Sequence, residues 1–206
     1  VSNDDKLLAY SLDIKGSEYY IIYIINIALN KIITKEIPDT SGSISFSLDD
    51  KYIFYSKLDE NHRARKIYRH EIGNYKNQDE LIFEEKSDAF TVSIYISSDE
   101  KYYFISSSDH NTSEQYYFSI NEKKPNPKLI IKRDKGILYS VSSWDNKFYN
   151  HTNKNAEDCK IDVSDSLEKQ NWRPFVTAKD EVLIGGCVFL KNWIIRSETS
   201  NALDKL

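Results

Sequence analysis

A short string recurs along this chain, as SNDDKLLAYS at 2–11, SLDDKYIFYS at 47–56 and SSDEKYYFIS at 97–106. Each copy joins a serine, an acidic turn and a lysine to a run of branched and aromatic residues. A fainter copy, SSWDNKFYNH, lies at 142–151, and LKNWIIRS at 190–197 is a candidate fifth. Aligning Lys6, Lys51, Lys101, Lys147 and Lys191 gives spacings of 45, 50, 46 and 44 residues. Strand-rich repeats of that length are the period of propeller blades. A unit so small cannot bury its apolar face alone, so successive copies must stack on one another.

The signals inside a unit come in a fixed order: strand, acidic turn, strand, longer polar loop, two more strands. In the second unit this predicts strands at 43–47, 51–57, 65–72 and 80–85. Asp49 and Asp50 read as turn chemistry, because short acidic side chains accept backbone hydrogen bonds and tolerate tight-turn geometry. The expected fold class is all-β, with blades of four antiparallel strands. Units near 1–40, 41–88, 89–134, 135–178 and 179–206 would form one incomplete propeller domain over 1–206. The first unit opens at its acidic turn and the last stops at NALDKL, and the chain contains no methionine. From this we expect further chain before Val1, ends that fall inside blades, and self-association through the open blade edges.

Composition agrees: 40% apolar residues with 15 Tyr and 9 Phe suit half-buried strands. A net charge of -4 with both signs interspersed leaves no basic stripe for a phosphate backbone, so nucleic acid is not an expected partner. The longest apolar run, YYIIYIINIAL at 19–29, is broken by Asn26 and is shorter than the roughly 18 residues that span a bilayer. It reads as a buried strand, and no membrane partner is expected. VSNDDKLLAY lacks the basic and apolar regions of a signal peptide, which points to a cytoplasmic chain. Cys159 and Cys187 are then expected as reduced thiols.

Chemistry-bearing patterns are sparse. There is no G-x-S-x-G elbow to carry a nucleophilic serine. Gly185 and Gly186 precede Cys187 in the apolar run VLIGGCVFL, which reads as a bulged core strand with a buried, protonated thiol. His62, His70, His110 and His151 show no zinc-ligand spacing, so neither metal nor other cofactor is expected.

His62 and His110 do share a position, in the loops between second and third strands: DIKGSE (13–18), DENHRAR (59–65), DHNTSE (109–114) and TNKNAED (152–158). Equivalent loops of a propeller lie on one rim. That rim would carry Glu18, Asp59, Glu60, His62, Arg63, Arg65, Asp109, His110, Glu114, Glu157 and Asp158. Such loops are either plain solvated connections or a docking rim for another domain. For docking, the candidates are Glu60, His62, Arg63, Arg65 and Glu114.

Three longer strings are more specific: LDENHRARKIYRHEIG (58–73), EEKSDAFTVSIYISSDEKYYFISSSDHNTSEQYYF (84–118) and KGILYSVSSWDNKFYNHTN (135–153). They resemble the propeller of the oligopeptidase B (protease II) branch of the prolyl oligopeptidase family. The resemblance implies a seven-bladed propeller, of which about four to five blades are present. It also implies a partner α/β-hydrolase domain with a Ser, Asp and His triad that cuts short peptides after Arg or Lys. That domain is absent from this sequence, so no catalytic residue carries over. The implied role is scaffold and size-selective gate, in a wall that admits short basic peptides and excludes folded proteins. Two alternatives stand beside it: a stand-alone propeller of the TolB type serving as a protein-binding scaffold, and a split-gene remnant.

Overall fold

The computed structural model describes residues 1–34, 36–74 and 79–206, which form eighteen strands and no helix. The first seven are β1 (Leu7–Leu12), β2 (Tyr20–Asn26), β3 (Lys31–Ile32), β4 (Ile37–Phe46), β5 (Tyr52–Leu58), β6 (Ala64–Glu71) and β7 (Glu80–Glu84). They pair in the order β1-β2-β4-β5-β6-β7, with β3 on β2. A second sheet holds β8 (Thr91–Ile96), β9 (Tyr102–Ser108), β10 (Ser113–Ser119) and β11 (Lys128–Leu129). A third holds β12 (Tyr139–Trp144), β13 (Lys147–Thr152), β14 (Lys160–Ser164) and β15 (Arg173–Val176). The fourth has three strands, β16 (Leu183–Phe189), β17 (Ile194–Ser200) and β18 (Leu203–Lys205).

Each sheet packs face to face on its sequence neighbours. Phe54 and Ile67 of the first sheet meet Val92, Tyr103, Ile105 and Phe118 of the second. Phe104 and Ile130 meet Tyr139, Val141 and Phe148 of the third sheet and Leu167 of the connection after β14. Tyr149, Ile161 and Val163 then meet Ile184 of the fourth. Successive side chains of a strand point to opposite faces. Phe104 therefore serves one core while Tyr103 and Ile105 serve the other, which is why YYFI is apolar throughout instead of alternating. A series of small antiparallel sheets stacked this way is a β-propeller, here a partial one.

Separate four-stranded blades were expected, yet the first two units share one seven-stranded sheet. The cause is β4, whose start pairs with β2 (Tyr20↔Thr40, Ile22↔Ile37) and whose end pairs with β5 (Ile44↔Tyr55, Phe46↔Ile53). Gly42 lies at the bend with φ 86°, and a Cβ there would stand 3.0 Å from Cγ of Tyr20. Only glycine allows both the left-handed backbone and that close approach. The halves on either side of the bend face each other, Ile22, Ile24 and Ile37 packing on Ile53 and Tyr55, so the sheet folds over on itself.

The recurring string builds the same turn three times. Ser47 Oγ donates to Asp49 Oδ1 (2.7 Å) and accepts Tyr52 N (2.9 Å), while Asp50 has φ 55°. Ser2 with Asp4, and Ser97 with Asp99, repeat these bonds at 2.8 and 2.7 Å. Asp50 also does more than shape its own turn. Its carboxylate accepts Asn3 N (2.8 Å) and Asp4 N (3.0 Å), stitching the second unit's turn to the first. Asp50→Ala should therefore cost about 1–2 kcal/mol in urea unfolding, with Asp50→Gly restoring only the backbone share. An alanine variant as stable as the parent would remove the stitch from the account.

In the fourth repeat Asp145 and Asn146, at φ 49° and 59°, close a two-residue hairpin between β12 and β13. This is the left-handed pair that such hairpins require. The register shift between Ile184 and Cys187 puts a bulge at the glycine pair. A Cβ on Gly185 would stand 2.1 Å from Ser197 Oγ. The strand is less of a core strand than expected, since Ile184 is buried but Leu183 and Val188 are exposed.

Candidate functional rim

Because β4 and β5 are antiparallel, the serine-acid turns lie at one end of the sheets and the longer loops at 13–18, 59–63 and 109–112 at the other. Asp59 organises its loop locally. Its Oδ1 accepts Asn61 N (2.8 Å) and Arg63 N (3.0 Å). Slight burial pushes its carboxyl up, but these bonds and the nearby Arg65 and Arg63 charges outweigh that and leave it below the usual range. Asp13 and Asp109 do the same for their loops, each accepting several backbone N–H groups. The acidic residues that begin the loops are therefore folded into them.

Five candidates came from sequence, and the structure divides them. Glu60 and Arg63 are exposed, and their side chains make no hydrogen bond or ion pair among the described residues. His62 is exposed at φ 59°, with its ring 4.0 Å from that of Tyr19, whose OH donates to Asp59 O (2.9 Å). Arg65 is engaged inward: it ion-pairs with Asp88 and donates to Glu85 O and Lys86 O, both at 3.1 Å.

Glu114 is not on an exposed loop as expected. It lies in β10, buried, because the loop ends at Thr112 and the strand begins at Ser113. Its Oε2 accepts Arg133 Nη2 (2.7 Å) and Tyr116 OH (2.9 Å). The same Arg133 Nη2 reaches Glu85 Oε2 (2.6 Å), which also accepts Ser107 Oγ (2.5 Å). The Arg133 guanidinium lies 4.1 Å over the Phe90 ring. Burial raises both carboxyls, but Ser107 and Arg133 at Glu85, and Arg133 and Tyr116 at Glu114, outweigh it and hold both below the usual range. Glu85 and Arg133 were missed from sequence, since neither belongs to a loop of the repeat.

Two other features were weighed as sites. A cleft of about 400 Å³ opens between the first two sheets at the turn end, over Phe54, Tyr103 and Phe118, with Arg69 and Lys123 at its edge. Arg69 crosses it, stacking on Tyr52 at 4.4 Å and donating to Lys123 O (3.0 Å). Elsewhere Asp79 accepts Tyr55 OH (2.7 Å) and lies 2.8 Å from His70 Nδ1. This grouping lacks a nucleophile, because burial and the Asp79 charge push the Tyr55 phenol far above its ordinary value. Burial likewise raises the Cys187 thiol, keeping it protonated. Among the described residues no group of three or more His, Cys, Asp and Glu could hold a metal ion.

Comparison with known proteins matches residues 1–206 to the family described as "Prolyl oligopeptidase, N-terminal beta-propeller domain". Protease 2 of Moraxella lacunata is 30% identical over 90% of this chain and 29% of its own length. Dipeptidyl aminopeptidase BI of Pseudoxanthomonas mexicana is 26% identical over 100% of this chain and 29% of its own. Oligopeptidase B from Leishmania major superposes with a TM-score of 0.91 at 23% identity, over 97% of this chain and 28% of that one. The chain thus spans under a third of the length of these relatives.

Proposed function

Since the chain belongs to the prolyl oligopeptidase family, as its N-terminal β-propeller domain, we propose that it is the non-catalytic propeller part of an oligopeptidase B-like serine peptidase. Its five units are consecutive blades of one incomplete propeller. It serves as scaffold and size-selective gate for an α/β-hydrolase partner domain that cleaves short peptides after Arg or Lys. The observation that carries this reading is the family match over all 206 residues. A narrow passage selects by shape, so gating asks no chemistry of the propeller. Exposed Glu60, His62 and Arg63, held on a pre-ordered loop, supply a contact that can open and close, because exposed ion pairs are individually weak. The setting is cytoplasmic, where Cys159 and Cys187 would stay reduced. Apolar residues exposed in the first and last units, Ile14, Leu29 and Trp193 in connections and Val188 on β16, would make the isolated chain self-associate.

The test is hydrolysis of a fluorogenic Arg-Arg peptide by this chain alone, then mixed with a separately expressed hydrolase domain. No turnover alone, with altered size selectivity on mixing, is the expected result. Arg63→Ala should weaken that mixing effect about two- to fivefold, the scale of an exposed charge contact, while leaving thermal stability unchanged. Turnover by the chain alone, abolished by a serine-directed inhibitor, would overturn the assignment.

A further inference from the structure

The rim loops are joined beneath the surface. Tyr19 OH donates to Asp59 O, tying the first unit to the 59–63 loop. Asp59 Oδ2 lies 3.8 Å from Arg65 Nη1, and Arg65 also donates to the carbonyls of Glu85 and Lys86. Glu85 turns its carboxylate the other way, to Ser107 and Arg133. Arg133 then holds Glu114 through its backbone N–H (2.9 Å) and its guanidinium. Three residues on, Gly136 N donates to Thr112 Oγ1 (3.1 Å), fastening the 109–112 loop. Asp59 and Arg65 form an ion pair only, whereas every link from Arg65 to Glu114 is a hydrogen bond with a charged member, a kind roughly twice as strong as neutral ones.

We infer that the 59–63 and 109–112 loops form one mechanically coupled contact surface, with Arg65 and Arg133 as its positioning residues. A partner engaging Glu60 or Arg63 on one loop then biases the set of the other, which presents His110 and Asn111. This rests on reading the rim as a docking surface, and it states how two loops from different sheets act together.

The measurement is residue-resolved amide hydrogen exchange on this chain without any partner, which separates its outcome from the fate of the docking assignment. Arg65→Gln should speed exchange at Asn111 and Thr112, and Arg133→Gln at Asn61 and Arg63, by about three- to tenfold in each case. Combining the two should produce less than the product of the single effects. Arg65→Gln leaves the Glu85 and Glu114 carboxylates paired, so it keeps the test open even where Arg133→Gln fails to fold. Acceleration confined to 59–63 in Arg65→Gln, or to 109–112 in Arg133→Gln, would overturn the inference. So would equal acceleration at Ile161 and Val163 of β14, which would mean that these bonds support the whole fold and couple nothing in particular.

Discussion

Arg133→Ala is expected to lower the unfolding free energy by about 3–5 kcal/mol, because it leaves two carboxylates buried without their cation. The side chains of Glu85 and Glu114 are 5% and 6% exposed, so water cannot replace the guanidinium that spans them. Urea unfolding at neutral pH reads this loss directly. Adding Glu85→Gln and Glu114→Gln to the alanine variant should recover part of it, since neutral amides carry a smaller desolvation penalty. A loss below about 1 kcal/mol would mean that the cluster is effectively solvated, against its burial.

The pH dependence gives the same cluster a second signature. In the parent both carboxyls lie below their unfolded value, about 4.3 for a free Glu. Their contribution is therefore fully present above pH of about 4.3 and is lost as the pH falls through the depressed folded value. Without the Arg133 guanidinium, burial, the largest influence on both carboxyls, is opposed only by Ser107 and the Ser87 N–H at Glu85 and by Tyr116 and the backbone N–H of position 133 at Glu114, and the folded carboxyls rise. The variant then loses less stability than the parent as they protonate. The gap between parent and variant should accordingly narrow on acidification, from neutral pH toward about pH 4. A gap that widens there would contradict the assignment of charge as the cause.

How much of this could be read from sequence depends on the range of each interaction. The serine-acid turns were legible because Ser47, Asp49 and Tyr52 lie within five residues of one another and bond locally. The strands of the second unit were legible as apolar runs, to within a residue or two at most ends. The shared first sheet was not, because it depends on Gly42 passing Tyr20, which comes from a different strand. Asp50 was read as a turn residue alone, since its bond to Asn3 crosses 47 residues. Glu114 was placed on the rim for the same reason. Its partner Arg133 is 19 residues away, and Arg133 in turn pairs with Glu85 at a separation of 48. A polar string ending in Glu looks like loop until those partners are in view. Glu60, His62 and Arg63 were easier, because exposure on a turn follows from their own neighbours.

Phe104→Ala should cost about 3–5 kcal/mol as well, but with a different consequence for how the chain unfolds. Phe104 is fully buried and faces Ile130, Tyr139, Val141, Phe148 and Leu167 across the junction of the second and third sheets. Tyr95 and Tyr102 flank its ring at 5.8 and 6.3 Å, so the cavity left by alanine is walled by aromatic groups with little freedom to collapse. In a stack of sheets, stability is the sum of each sheet's own term and the junctions between neighbours. The second and third sheets also share polar ties, Gln115 Oε1 accepting Val141 N (2.6 Å) and Tyr139 OH donating to Ile131 O (2.5 Å). These hold register but bury little apolar area, so the junction's strength lies in the cluster around Phe104. Weakening it should separate one cooperative transition into two, with tryptophan fluorescence reporting the half that contains the third and fourth sheets, since Trp144, Trp172 and Trp193 all lie there. Phe175→Ala, at a position 47% exposed on β15, should change stability by less than about 1 kcal/mol and leave unfolding cooperative. One sharp transition in both variants would place the coupling in the backbone connections and polar ties, leaving the apolar junction only a share of the total stability.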